Sequence, residues 1–282
     1  MPHYLRVMNW EGNLRKLETS AQANEDGQVD YVLRGADVLE ILAGEGMNAW
    51  VGQRIHIQFD GQIHCRVTGQ TIRKAYGEGM SYQAWAEHPA AVESVLRPEL
   101  SRIHEGIALR DFEWEQKHHN QPHYVYVSQT GAFKVGVTRT TNRPYRWHDQ
   151  GAVAAVAIAE TPYRQLAGEM EVALKEILSD KTNFRKMLGD VQPDLPELEG
   201  WKEECFDHLG PDYEPFFIDE HPEEFMYPVM KYPAKVNSLT LDKAPHIEGT
   251  LEGIKGQYLL FDGGRVMNVR RHSGYRVLIN IG

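Results

Sequence analysis

Two cysteines, a histidine cluster and a C-terminal basic block stand out for their chemistry in this 282-residue chain. Cys65 follows His64, the two side chains that a thiolate nucleophile and its base would need. Neighbours on a strand point to opposite faces, so the pair cannot form a dyad, and Cys65 reads as a buried structural thiol. Cys205 ends the run Glu203-Glu204-Cys205, where carboxylates raise a thiol pKa instead of activating it. His118, His119 and His123 have the side chains of a metal site, although adjacent histidines in a loop are more often solvated. Near the C-terminus, Lys255, Tyr258, Arg270, Arg271, His272, Tyr275 and Arg276 interleave cations with aromatics. That mixture suits a surface tracking a nucleic-acid strand, with Arg270 and Arg271 on phosphates; it equally suits a small barrel whose aromatics are core.

The net charge of −10 argues against a nucleic-acid partner until its distribution is read. Residues 189–228 hold 13 acids and one Lys, whereas 121–188 hold nine Lys/Arg against six acids and 229–282 hold eight against four. Two modestly basic blocks thus flank an acidic one, and phosphate ligands are not excluded. Two cysteines make neither a disulfide framework nor a four-thiolate zinc site, which favours a reduced, cytoplasmic setting. The small-apolar stretch 152–159 is far shorter than the roughly 20 residues of a membrane span. The first six residues contain no apolar signal core, so no membrane partner is expected.

The elements that would position these groups follow from periodicity. Residues 1–120 read as an N-terminal β-rich region with an irregular, partly helical insert. Within it, 54–59 and 62–67 alternate, and a three-residue connection around Asp60-Gly61 pairs Phe59 with Ile63. A short helix is expected over 36–42 and another over 81–95. Residues 121–188 give the order strand, strand, helix, strand, helix: 124–127, 133–137, 142–149, 152–159, then a helix opened by Thr161-Pro162 and carrying apolar residues at helical spacing. Residues 189–228 are acidic and Pro-rich and read as a connector or an exposed wrapping segment, although Trp201, Phe206, Phe216 and Phe217 argue that parts of it dock. Residues 229–282 read as a small barrel-like β region with a hairpin around Asp262-Gly263-Gly264. The fold class is α+β, and the terminal β regions are expected to pack together because chain ends of compact proteins often lie close.

Tyr126 on the first core strand and Lys134-Val135-Gly136 on the second carry a resemblance. So do the strings His123-Tyr-Val-Tyr126, Lys134-Val-Gly-Val-Thr-Arg139, Arg146-Trp-His-Asp-Gln-Gly-Ala152, Asp180-Lys-Thr-Asn183 and Gly253-Ile-Lys-Gly-Gln-Tyr258. Residues 121–188 resemble the GIY-YIG endonuclease superfamily, in the branch whose second motif begins with Lys and within an uncharacterised family of it. The resemblance implies a ββαβα core and metal-assisted phosphodiester hydrolysis. Carried over, it implies that Tyr126 lies beside the nucleophile, Arg146 contacts phosphate and Glu171 holds one Mg²⁺ or Mn²⁺, with Glu169 as competitor. Lys134 joins the catalytic set, and Arg139, Arg143, Lys181 and Asn183 would add nucleic-acid contacts. The sequence departs from the pattern at Tyr124, where the family has Gly, and at Lys134, where it has Tyr. Lys134 cannot donate a phenolic proton; it can bind phosphate, or act as a base if burial depresses its pKa.

Chains resembling this family often carry cysteines between the N-terminal β region and His123. Here Ser81 and Ala84 stand where a C-x-x-C would sit, and 97–101 has no Cys, so no zinc is expected. The leading expectation is a metal-dependent phosphodiesterase acting on DNA or RNA. The alternatives are a binder that has lost cleavage on the same scaffold, and a module that docks a protein through acidic residues 190–224.

Overall fold

Arg54–His64 is the strand around which one half of the molecule is built. In the computed structural model, which describes residues 8–282, it runs unbroken between His246–Lys255 and Tyr275–Ile281, antiparallel to both. The order continues outward through Tyr258–Phe261, Arg265–Asn268 and Asn237–Leu239 on one side. On the other lie Met8–Asn13, Ala36–Asp37 and Glu40–Ile41. Ile55, Ile57 and Ile63 bury one face with Val277, Ile279 and Ile281 from the chain's other end. The terminal β regions therefore share one sheet, and residues 1–86 and 226–282 form one compact unit while 87–225 form the other. The first six residues, on which the absence of a signal core was read, lie outside the described residues.

The hairpin expected at Asp60-Gly61 is absent. Opposite Phe59 and Ile63 stand Val277 and Tyr275, only two residues apart, so Asp60 and Gly61 bulge out of a continuous strand. Gly61 takes φ +89° there, and Asp60 accepts the Gln62 N–H at 2.8 Å. Longer partner strands from the C-terminal segment outcompete the self-paired hairpin. The helix expected over 36–42 is replaced by two short paired strands, Ala36–Asp37 and Glu40–Ile41. The Val38 N–H between them donates to buried Asn13 at 3.1 Å. The helix expected over 81–95 stops at Glu87, and one-turn helices follow at Pro89–Ala91 and Glu93–Val95, because Pro89 has no N–H to continue the ladder. The hairpin of Tyr258–Phe261 with Arg265–Asn268 forms as expected.

The unit 87–225 carries a four-stranded antiparallel sheet in the order Phe133–Arg139, His123–Gln129, Ala154–Thr161, Glu223–Glu224. Val125, Val127, Val156 and Ile158 pack with Ala167, Met170 and Leu174 of the helix Arg164–Leu174. That helix starts two residues later than Thr161-Pro162 predicts: the Thr161 hydroxyl donates to the carbonyls of His123 and Tyr163 and caps nothing. The helix expected over 142–149 is split at Pro144 into a turn, Thr140–Asn142, and a short helix, Tyr145–Asp149.

Residues 189–225 are not a connector. Asp194 caps the helix Leu195–Leu209 by accepting the Glu197 N–H at 3.0 Å, and Leu198, Cys205 and Leu209 bury against the sheet. Burial, with Glu204 adding to it, pushes the Cys205 thiol up to about 12. Acids assigned to a docking surface are used internally. Glu199 and Asp219 hold the buried Lys202 ammonium, and Glu223–Glu224 extends the sheet. Among the described residues no helix is long and apolar enough to cross a membrane.

Candidate active site

Tyr126 sits on the middle strand of this sheet, fully buried beside Trp147, with ring centroids 5.8 Å apart. Strand alternation sends it away from the face that Val125 and Val127 give to the helices. Its cross-strand partner is Gly136. A Cβ at Gly136 would stand 2.6 Å from both Cζ and Oη of Tyr126, so only glycine lets the ring lie across the neighbouring strand. Gly136→Ala is expected to lose about 1–3 kcal/mol through overpacking. Urea denaturation of parent and variant checks this, and Gly189→Ala, whose added Cβ would meet nothing nearer than 3.2 Å, is the control.

The Tyr126 hydroxyl donates to Gln150 Oε1 at 3.1 Å. Arg146, one helical turn before Gln150, is close enough for its charge to act on the Tyr126 hydroxyl. Burial raises the phenol pKa, and Arg146 and Gln150 pull against it. The hydroxyl is therefore a fixed neutral group whose proton points at Gln150 and whose lone pairs face a guanidinium.

Lys134 opens the edge strand and is 4% exposed. The tail of the helix Arg164–Leu174 returns beside it, the Val135 N–H donating to the Ser179 carbonyl at 3.0 Å, and this brings in Asp180. Lys134 forms no ion pair among the described residues, although Glu171 and Asp180 act on it from a distance. Burial, reinforced by Arg146, brings its pKa down to about 8.

Glu171 is buried on the helix, whereas Glu169 is exposed. Burial raises the Glu171 pKa against the pull of Lys175, whose ammonium stands 3.3 Å from Glu171 and 3.4 Å from Asp180. Two carboxylates thus share one cation. This hard-oxygen pair fits a divalent ion that keeps most of its water, and such an ion would take over the role of Lys175.

The residues assigned to nucleic-acid contact divide. Arg139 remains near this region, its charge acting on Arg164, His119 and His123. Arg143 is already spent: Glu220 and Glu223 hold its guanidinium, which lies over Trp147 at 4.8 Å. Asn183 caps the helix Phe184–Met187, accepting from the N–H groups of Arg185 and Lys186. Lys181 is exposed next to Asp180. Arg270 and Arg271 belong to the other unit, where Arg270 pairs with Glu78. There Lys255, His272 and Tyr275 are buried, in strands and a turn of the open ten-stranded sheet and not in a separate small barrel.

Gln150, Lys175, Asp180 and Arg164 were not singled out as site members by sequence. The i,i+4 spacing of Arg146 with Gln150 and of Glu171 with Lys175 was the available signal. In the segment before His123, Ser94 and Ser101 place buried hydroxyls 3.5 Å from His119 Nδ1. Burial, with Arg164 next, drives His119 down to about 3. His123 donates through Nδ1–H to the Gln121 carbonyl at 2.7 Å and is brought to about 4, again mainly by burial.

A family model described as "Protein of unknown function (DUF2797)" matches residues 52–277. No curated protein matches the chain, and no solved structure does.

Proposed function

The chain belongs to DUF2797, a family of unknown function, and from the groups gathered around Lys134 we propose that it is a metal-dependent nucleic-acid phosphodiesterase of the GIY-YIG endonuclease kind. The observation that carries this reading is a buried lysine without an ion pair among the described residues, within reach of the charges of Arg146 and Glu171. A permanent cation, a titratable base and a buried carboxylate are the parts that phosphodiester hydrolysis needs.

In this reading Arg146 donates to non-bridging phosphate oxygens, and Tyr126 holds the guanidinium in place by accepting from it. Neutral Lys134 takes the proton of the attacking water as the new O–P bond forms. The bond from phosphorus to the leaving oxygen breaks, and that oxygen recovers a proton from solvent. Glu171 and Asp180 would hold the divalent ion, and bound there it would supply charge stabilisation for the leaving oxygen.

Mixed single- and double-stranded DNA and RNA, incubated with Mg²⁺ or Mn²⁺, test it. Cleavage by the parent that disappears with chelator and in Arg146→Ala and Glu171→Gln is the expected outcome; no cleavage of any substrate ends the reading. The reading as a binder without cleavage rests on Lys175, which already occupies both carboxylates. It requires salt-dependent retention of nucleic acid by an uncleaving parent.

A further inference from the structure

The unit formed by 1–86 and 226–282 carries an aromatic cluster that the chemistry above does not use. Tyr76, Tyr82 and Trp85 touch one another, with ring centroids 5.3 Å (Tyr76–Tyr82), 6.3 Å (Tyr76–Trp85) and 6.1 Å (Tyr82–Trp85) apart. Tyr82 is 62% and Trp85 38% exposed, unusual for rings of this size held in a fixed arrangement. The arrangement is fixed from below. The backbones of Tyr76 and Met80 pair in both directions, at 2.8 and 2.9 Å, around Gly77-Glu78-Gly79. Gly77 has φ +54°, and a Cβ there would stand 2.9 Å from Trp85 Cδ1, so the turn makes room for the indole.

The surroundings are basic. Lys74 Nζ lies over the Tyr76 ring at 5.0 Å, and exposed Arg73 precedes it. Glu78, at the tip of the turn, is the carboxylate on which Arg270, Arg66 and Lys16 converge. Three cations around one carboxylate leave an excess of positive charge beside the rings.

We propose that Tyr76, Tyr82 and Trp85 form a stacking platform for the bases of a single-stranded nucleic acid, whose backbone follows Lys74, Arg73, Arg66 and Arg270. Outward ring faces accept any base, and the cations meet the phosphates between bases. A quaternary ammonium ligand, the other usual guest of aromatic clusters, is disfavoured: the rings are in mutual contact and the flanking charges repel a cation. A duplex is disfavoured because its bases are stacked on each other and offer no free face. The platform names the form of the substrate and so rests on the phosphodiesterase reading, yet it is testable apart from cleavage.

The test is fluorescence anisotropy with a labelled 15-nucleotide single strand and a duplex of the same sequence, in the Glu171→Gln protein and without divalent metal. The single strand is expected to bind tighter than the duplex. Trp85→Ala and Tyr82→Ala are each expected to weaken it about 10-fold with an unchanged salt slope, and Trp85→Phe to restore most of the affinity. Lys74→Ala is expected to lower the salt slope by about 0.7. Equal binding of strand and duplex, Trp85→Ala affinity equal to the parent's, or no binding at all overturns the platform. Cleavage surviving in Glu171→Gln while Trp85→Ala still loses the strand fails the catalytic reading alone. Cleavage lost in Glu171→Gln while Trp85→Ala binds normally fails the platform alone.

Discussion

Acidification from pH 6.5 to pH 4 is expected to destabilise the 87–225 unit steeply, at up to about 4 kcal/mol per pH unit. His119, His123 and His148 are all buried in it, and their pKa values fall from 6.5 to about 3, about 4 and about 4. Burial is the largest cause in each case. For a base whose folded pKa is depressed, the unfolded chain takes up protons first. Stability is therefore full above pH 6.5 and is lost as the pH falls towards the folded values. Three such protons give the slope stated. Glu171 works the other way, because its raised pKa lets the folded state bind a proton early, but it is one group against three. Over the 2.5 units the three rings together remove up to about 10 kcal/mol, which exceeds the lower part of the usual ~5–15 kcal/mol domain stability. Urea denaturation at pH 7, 6, 5 and 4 measures the slope. His148→Gln should reduce it by about a third, and a flat profile above pH 4.5 would show that these rings are protonated in the folded protein.

Lys134→Met is expected to abolish cleavage and to make the protein more stable. A general base contributes ~10²–10⁴ in rate, so the variant should fall by that factor while still binding substrate. The parent rate should rise about tenfold per pH unit below pH 8, where the ammonium is the dominant form, and level off above it. Lys134→Met should lack that limb. The opposite profile, falling above pH 8, would mean that Lys134 serves as a cation on phosphate. On the stability side, the depressed pKa means that holding this charge in its buried position at pH 7 costs about 3 kcal/mol, which methionine would release. An active variant, or one destabilised by several kcal/mol, would remove Lys134 from its role.

What could be read from sequence was local. The alternation in 258–269 and the succession of elements in 121–174 are set by neighbours in the chain, and both formed. Three readings failed where distant segments intervened. Asp60-Gly61 has the composition of a turn, but the distant strand Tyr275–Ile281 pairs straight past it, with Val277 opposite Phe59 and Tyr275 opposite Ile63. The 36–42 segment has helical composition, but the Asn13 side chain captures the Val38 N–H. The acidic segment 189–228 looked solvated because a charge count does not show pairing: Lys202 is held by Glu199 and Asp219, and Arg143, from outside the segment, by Glu220 and Glu223. The candidate site followed the same division. Tyr126, Lys134, Arg146 and Glu171 entered through motif resemblance, since a strand tyrosine or a helical glutamate is ordinary by itself. Asp180 required knowing that the chain turns back along the edge strand.

The way the chain is divided also sets an order of events during synthesis. Arg54–His64 leaves the ribosome long before His246–Lys255 and Tyr275–Ile281, the two strands that flank it. At that stage the central strand of the larger sheet has two open edges, while 87–225 is contiguous and complete once its last residue emerges. The contiguous half is thus free to fold first, and the larger sheet closes only once Tyr275–Ile281 has emerged, through its most distant pairings. A nascent chain halted before residue 246 carries an unsatisfied, Ile-rich strand, the kind of edge that recruits other chains.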